Sequence, residues 1–205
     1  MTTAAEPMAV DRADVRTIVG GGVKLGILTA VGVVAFALLV RAMSGNTETL
    51  VLSLLVLAGG VVFGYLPALW TRPRSADGIA WCTLLGLLGA VAFTVLDVVL
   101  LRPLSVYHWT WDAIGGGSGF WYIPVWWMGS AFLAWLGGMV VAYAAQGGRD
   151  PQPLVQGVQT GGIAVILFWI IAGLEIAPFH PAVAALAFAI ALALHVPLSA
   201  VMHRR

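Results

Sequence analysis

Six apolar stretches follow one another almost without interruption, at about 17–40, 50–70, 79–101, 120–146, 156–178 and 181–202. A bilayer core about 30 Å thick is crossed by roughly 20 apolar helical residues, so each stretch is long enough to span it. Within lipid a backbone must satisfy its own hydrogen bonds, which makes runs of this length helices. A membrane barrel would show strands of about 10 residues alternating polar and apolar, and no such alternation occurs. The sequence predicts an all-α, polytopic membrane protein with six transmembrane helices.

Composition agrees. Hydrophobic residues make up 60% of the chain and charged residues 9%, too few charges to cover a water-facing surface. A net charge of +1 leaves no basic footprint for nucleic acid. Cys82 is the only cysteine, which excludes an intramolecular disulfide and a cysteine-based metal centre; it reads as a small packing residue. The first apolar run exceeds the 7–15 residues of a signal core, so it is expected to remain as a span.

Lys and Arg in short loops set orientation. With the N-terminus placed in the cytoplasm, Arg12, Arg16, Lys24, Arg72, Arg74, Arg149, Arg204 and Arg205 all fall inside, and only Arg41 and Arg102 fall outside. That bias predicts a cytoplasmic (inner) membrane protein with both termini in the cytoplasm and residues 1–16 as a cytoplasmic tail. The 71–78 segment is a tight inner turn with Asp77 as the expected N-cap of span three. Pro-Phe-His-Pro at 178–181 makes a short outer turn, and the one long outer connection runs over 102–119.

Helices in lipid associate through close packing of small residues. Gly22 and Gly26, Gly60 and Gly64, Gly86 and Gly89, Gly137 and Gly138, and the alanines of span six supply such faces, mostly for contacts within the chain. Pro124 and Pro197 are expected to bend or loosen their helices.

Ionisable groups inside spans are costly and mark candidate sites. Asp97 near the outer end of span three, Glu175 near the outer end of span five, Arg102, Tyr107, His108 and Asp112 in the outer loop, and His180 in the last outer turn all gather at one face. Asp97 and Arg102 form the expected ion pair. Asp97, Glu175, His108 and Asp112 are the candidate acid–base set, a role that requires burial to raise a carboxyl pKa. His108, His180 and Asp112 are the candidate metal ligands. The loop is rich in aromatics, with Tyr107, Trp109, Trp111, Trp121 and Tyr122 around a Gly-Gly-Gly-Ser-Gly run at 115–119. An interfacial aromatic belt explains these rings, and the glycines suggest a chain folded over a cavity mouth, with these five residues lining a site for a small or lipophilic ligand.

Gly116-Gly117-Ser118-Gly119 resembles the Gly-x-Ser-Gly pattern of intramembrane rhomboid proteases. That chemistry needs a histidine beside the serine. His195 in span six lies about 21 Å along the helix from Pro181, too deep to serve Ser118. At the inner face, Gln156, Gln159, Thr160, Tyr143 and His195 form a second polar group, with His195 read as a hydrogen-bonded core histidine rather than a haem ligand.

Residues 69–89 (Leu-Trp-Thr-Arg-Pro-Arg-Ser-Ala-Asp-Gly-Ile-Ala-Trp-Cys-Thr-Leu-Leu-Gly-Leu-Leu-Gly), followed by a Trp-x-Trp loop at 109–111 and a Pro-initiated helix at 124, resemble the A-type membrane subunit of copper-dependent methane and ammonia monooxygenases. The match includes no catalytic ligand. It implies a packing subunit of a larger complex rather than the catalytic chain. The aromatic loop also resembles loops of integral-membrane carotenoid-modifying enzymes. The sequence-based expectation is therefore an accessory or scaffold subunit, embedded in lipid beside other membrane subunits and shaping an outer-face cavity. The alternatives are a membrane-embedded enzyme acting on a lipophilic substrate, of carotenoid or isoprenoid type or by metal-dependent oxidation, and a small-solute transporter.

Overall fold

The computed structural model describes residues 11–12, 14–107, 122–146 and 150–202. All of the regular structure there is helical: α1 (Val15–Ala42), α2 (Gly45–Thr71), α3 (Ala76–Leu96), α4 (Tyr122–Gln146), α5 (Pro153–Gly173) and α6 (Pro181–Met202), with a π-helical turn over Asp97–Leu101 extending α3. The six helices are each long and apolar enough to cross a membrane. Large apolar side chains such as Val31, Val99, Met128, Val158 and Val201 point outward, the side-chain arrangement of a multi-pass membrane protein whose solvent is lipid.

Helix α2 is the hub. It packs against all five others, while α3 packs extensively on both α1 and α4, and α5 on α6. One apolar core joins α2, α4, α5 and α6 around Tyr65, Val140, Val141, Phe168, Phe188 and Leu192. A smaller one joins α1, α2 and α3 through Ile18, Leu25, Phe63 and Leu85.

Small residues set how near the helices come. A Cβ on Gly26 would sit 2.8 Å from the backbone nitrogen of Phe93, so α1 and α3 touch backbone to backbone. A Cβ on Gly137 would overlap the carbonyl oxygen of Gly64, which places α4 directly on α2. Cys82 is fully buried beside this contact, its thiol donating to the carbonyl of Ala134 at 3.3 Å.

Helix boundaries depart from the apolar runs where capping, not hydropathy, decides. α1 starts at Val15 because Asp14 caps it, accepting from the Thr17 N–H at 2.8 Å. Asp11 accepts from the Arg74 N–H at 2.6 Å and from the Ser75 hydroxyl, and the Arg12 N–H donates to Thr71 at 2.8 Å, so residues 11–12 are docked on the α2–α3 turn rather than hanging as a tail. The N-cap of α3 is Ser75, not Asp77: the Ser75 hydroxyl accepts from Gly78 N–H at 3.0 Å, and Asp77 stands inside the first turn. Pro124 lies in the first turn of α4, where its missing N–H removes no helical bond, so it loosens nothing there. α6 continues past Pro197 to Met202.

Candidate functional site

Backbone and side-chain contacts define two poles. Arg12, Thr71, Arg74 and Asp150 meet at the first, where the start of α1 and the end of α6 lie; Arg74 and Asp150 form an ion pair at 2.7 Å. At the second, the guanidinium of Arg41 donates to the carbonyl oxygens of Ser105 and Val106 at 3.2 and 2.7 Å, clipping the end of α1 to the segment after α3.

The second pole is organised around Asp97. Its side chain is fully buried, and Arg102 Nε donates to Asp97 Oδ2 at 3.1 Å. The hydroxyl of Tyr107 donates to Asp97 Oδ1. The backbone explains the pairing. In the π turn the Arg102 N–H bonds to the Asp97 carbonyl, an i to i+5 step that stacks residues five apart on one face. Nearby, Trp127 Nε1 donates to the Thr94 hydroxyl at 3.0 Å and ties α4 to α3. The expected Asp97–Arg102 pair is therefore formed, and Tyr107 belongs to it.

The rest of the expected outer cluster is distributed differently. Glu175 is exposed, beyond the end of α5, with φ of 56°. The apolar run continues to residue 178, but the helix stops at Gly173, so Glu175 stands in the turn after α5 rather than within the helix. His180 is also exposed; its Nδ1 accepts from the Ala182 N–H at 3.1 Å and caps α6. Among the described residues, no three His, Cys, Asp or Glu side chains come together to hold a metal ion. His108, Trp109, Trp111, Asp112, Ser118 and Trp121 lie outside the described residues, and Tyr122 is the first residue of α4.

A cavity of about 530 Å³ opens at this pole between the ends of α1, α2 and α6, walled by Phe36, Val40 and Leu52 and carrying Glu48, Thr49 and His180. Glu48 was not among the sequence candidates. Its signal was its place in the first turn of α2, at the same level as His180.

The first pole also holds a buried hydrogen-bonded network. The hydroxyls of Tyr65 on α2 and Thr160 on α5 are 2.5 Å apart, and Thr160 Oγ1 is 2.6 Å from His195 Nδ1 on α6. All three residues are buried. His195 is thus a hydrogen-bonded core histidine. Thr160 also reaches the Gln156 carbonyl at 3.0 Å, so one hydroxyl links three helices. The network borders a cleft of about 620 Å³ lined by Gln152, Gln156, Gln159, His195 and Ser199 with Val155 and Met202. The inner group expected from sequence comes together here, except that Tyr65 takes the place given to Tyr143. Tyr65 lies about two helical turns before the Arg72 end of α2, but that depth does not show which side of the helix it faces.

Compared with known proteins, the chain matches no family model, no curated protein and no solved structure.

Proposed function

We propose that this chain is an accessory or scaffold subunit of a larger assembly in the cytoplasmic membrane, with both termini in the cytoplasm, shaping an outer-face cavity for a small or lipophilic ligand. The observation that carries the reading is the use made of Asp97. The one fully buried carboxylate among the described residues is held by Arg102 and Tyr107, an arrangement that fixes the loop after α3 rather than presenting an acid to a substrate. The cavity beside Glu48 and His180 supplies the volume for a ligand, within the range of roughly 300–1,000 Å³ usual for small-molecule sites.

The cationic bias supports the threading. Arg12, Arg16, Arg72 and Arg74 flank the pole of the Tyr65 network, and only Arg41 and Arg102 flank the other. The resemblance of residues 69–89 to the A-type monooxygenase subunit fits a packing role. So does the small share of the sequence that falls outside the six apolar runs.

Mild solubilisation of native membranes, followed by size separation and identification of what co-migrates, tests the proposal. Stable co-migration with other integral membrane subunits is expected. Recovery of the chain as a lone monomer with undiminished thermal stability would overturn it. Labelling of a cysteine placed at Asn46 from the outside checks the threading, and protection there from an impermeant reagent would reverse it.

A further inference from the structure

The outward face of α1 carries a charge among apolar side chains. The helix meets its neighbours through Ile18, Gly21, Gly22, Leu25 and Gly26, all buried. Gly22 and Gly26 lie against α3, and Gly21 lies against Leu85 of α3 and Trp70 of α2. At about 100° per residue, Arg16, Gly20, Lys24, Ile27 and Val31 fall on the opposite side. Ile27 and Val31 are exposed there, and so are Arg16 and Lys24.

Depth makes Lys24 unusual. The 28 residues of α1 are about 42 Å long, against a hydrocarbon core of about 30 Å. Lys24 stands about 14 Å along the helix from Val15. Even with the whole surplus of about 12 Å placed at this end, its Cα reaches the hydrocarbon boundary. Helical side chains lean toward the N-terminus, so the Lys24 stem runs back over Gly20, toward Arg16. A Cβ on Gly20 would meet nothing within 4 Å, so the helix is bare between the two cations. Among the described residues, neither the Lys24 nor the Arg16 side chain has a hydrogen bond or an ion pair.

A cation at this depth is costly without an anion beside it. Two cations flank an open notch, and exposed Ile27, Leu28 and Val31 continue from it into the bilayer. An anionic head on a hydrocarbon tail matches both surfaces at once. A zwitterionic head brings its own cation against Arg16 and Lys24. A second copy packed face to face here would set two Lys24 charges against each other in lipid.

We infer that the outward face of α1 binds an anionic phospholipid, its phosphate held by Lys24 and Arg16 over Gly20 and an acyl chain lying along Ile27 and Val31. The inference is independent of the outer cavity and of any partner subunit.

The full-length chain in nanodiscs of mixed phosphatidylglycerol and phosphatidylcholine tests it, with retained lipid read by native mass spectrometry. The wild type is compared with Lys24→Gln, Lys24→Arg and Gly20→Leu. Preferential retention of phosphatidylglycerol is expected. Lys24→Gln should lose about fivefold of that preference, the worth of one cation beside anionic headgroups, and Lys24→Arg should keep it. Lys24 is exposed, so both variants should melt like the wild type. Gly20→Leu fills the notch and keeps both cations, so it separates a shaped site from general attraction to an anionic surface; it should lose severalfold. Equal retention of phosphatidylcholine, or an undiminished preference in Lys24→Gln or in Gly20→Leu, would overturn the proposal. Free glycerol phosphate competing as well as the lipid would overturn the lipid assignment. A photoreactive group at position 27 should couple to lipid in native membranes, and coupling to a second copy or to another protein instead would also overturn it.

Discussion

Asp97 at one pole and His195 at the other are both buried polar groups inside apolar helices, and the protein accommodates them in opposite ways. Around Asp97 the group is a charge. It takes a guanidinium, a phenol, a π-helical turn that brings Arg102 onto its face, and a second arginine, Arg41, bracing the segment beyond. Around His195 the hydroxyls of Tyr65 and Thr160 and the imidazole share hydrogen bonds, with no ion pair among the three, and ordinary α-helices suffice. Tyr65, Thr160 and His195 meet because α2, α5 and α6 pack together, with no change in backbone type. The difference teaches that a buried charge reshapes the backbone that carries it, because desolvation must be offset by several close partners. A network of hydroxyls and an imidazole only requires that the helices already be near.

The sharpest way to break this comparison is to remove the cation. Arg102→Met leaves the Asp97 carboxylate without its guanidinium and should cost about 3–5 kcal/mol, read as a fall in melting temperature in detergent. Adding Asp97→Asn should restore most of it. A variant that melts like the wild type would mean that the charge is not what organises this pole. Gly137→Ala probes the packing between the poles. Its Cβ meets the Gly64 carbonyl, α4 must move off α2, and a loss of about 3 kcal/mol is expected, the upper end for overpacking. Loosening should then appear at both poles by hydrogen exchange, and a change confined to one would separate them mechanically.

Thr160→Val is the counterpart at the His195 pole. It keeps the shape and deletes the hydroxyl shared by Tyr65 and His195, for about 1–3 kcal/mol, which is less than the charged pole should lose. If it proves the more damaging change, the buried carboxylate is not the more demanding of the two groups. The smallest effect is expected at Asp14. The Thr17 hydroxyl, then the Thr17 N–H, hold its carboxyl below the ordinary value of 3.8. A carboxyl lowered in the folded state contributes stability above that ordinary value and loses it as pH falls through the lowered one. Protease cleavage near residue 15 should therefore rise only in strong acid, and Asp14→Ala should abolish that pH dependence.

The fold was largely legible because lipid makes apolar length and helix nearly synonymous. The run at 181–202 coincides with α6, and the others miss by a few residues for local reasons. Hydropathy does not register that Asp14 and Ser75 cap helices, or that the backbone turns left-handed at Glu175. The candidate sites were legible in part. Asp97 and Arg102 could be paired from proximity in the chain, and His195 and Thr160 from shared depth. Tyr65 was missed because its partners are 95 and 130 residues away, and depth alone does not tell which side of a helix faces inward. Glu48 was missed because it sits on an unremarkable first turn, and only the packing of α1 and α6 beside it creates a cavity.

The hub position of α2 has a bearing on assembly. The α5–α6 pair rests on α2 and α4, while α1 and α3 lie to the other side, so no helix from the last third of the chain is threaded between members of the first. Severing the connection between α4 and α5 would yield two inserted fragments with complementary surfaces. Co-expressed from separate messages, they should find each other in the bilayer and rebuild the whole, with the Tyr65 hydroxyl of one meeting the Thr160 hydroxyl of the other.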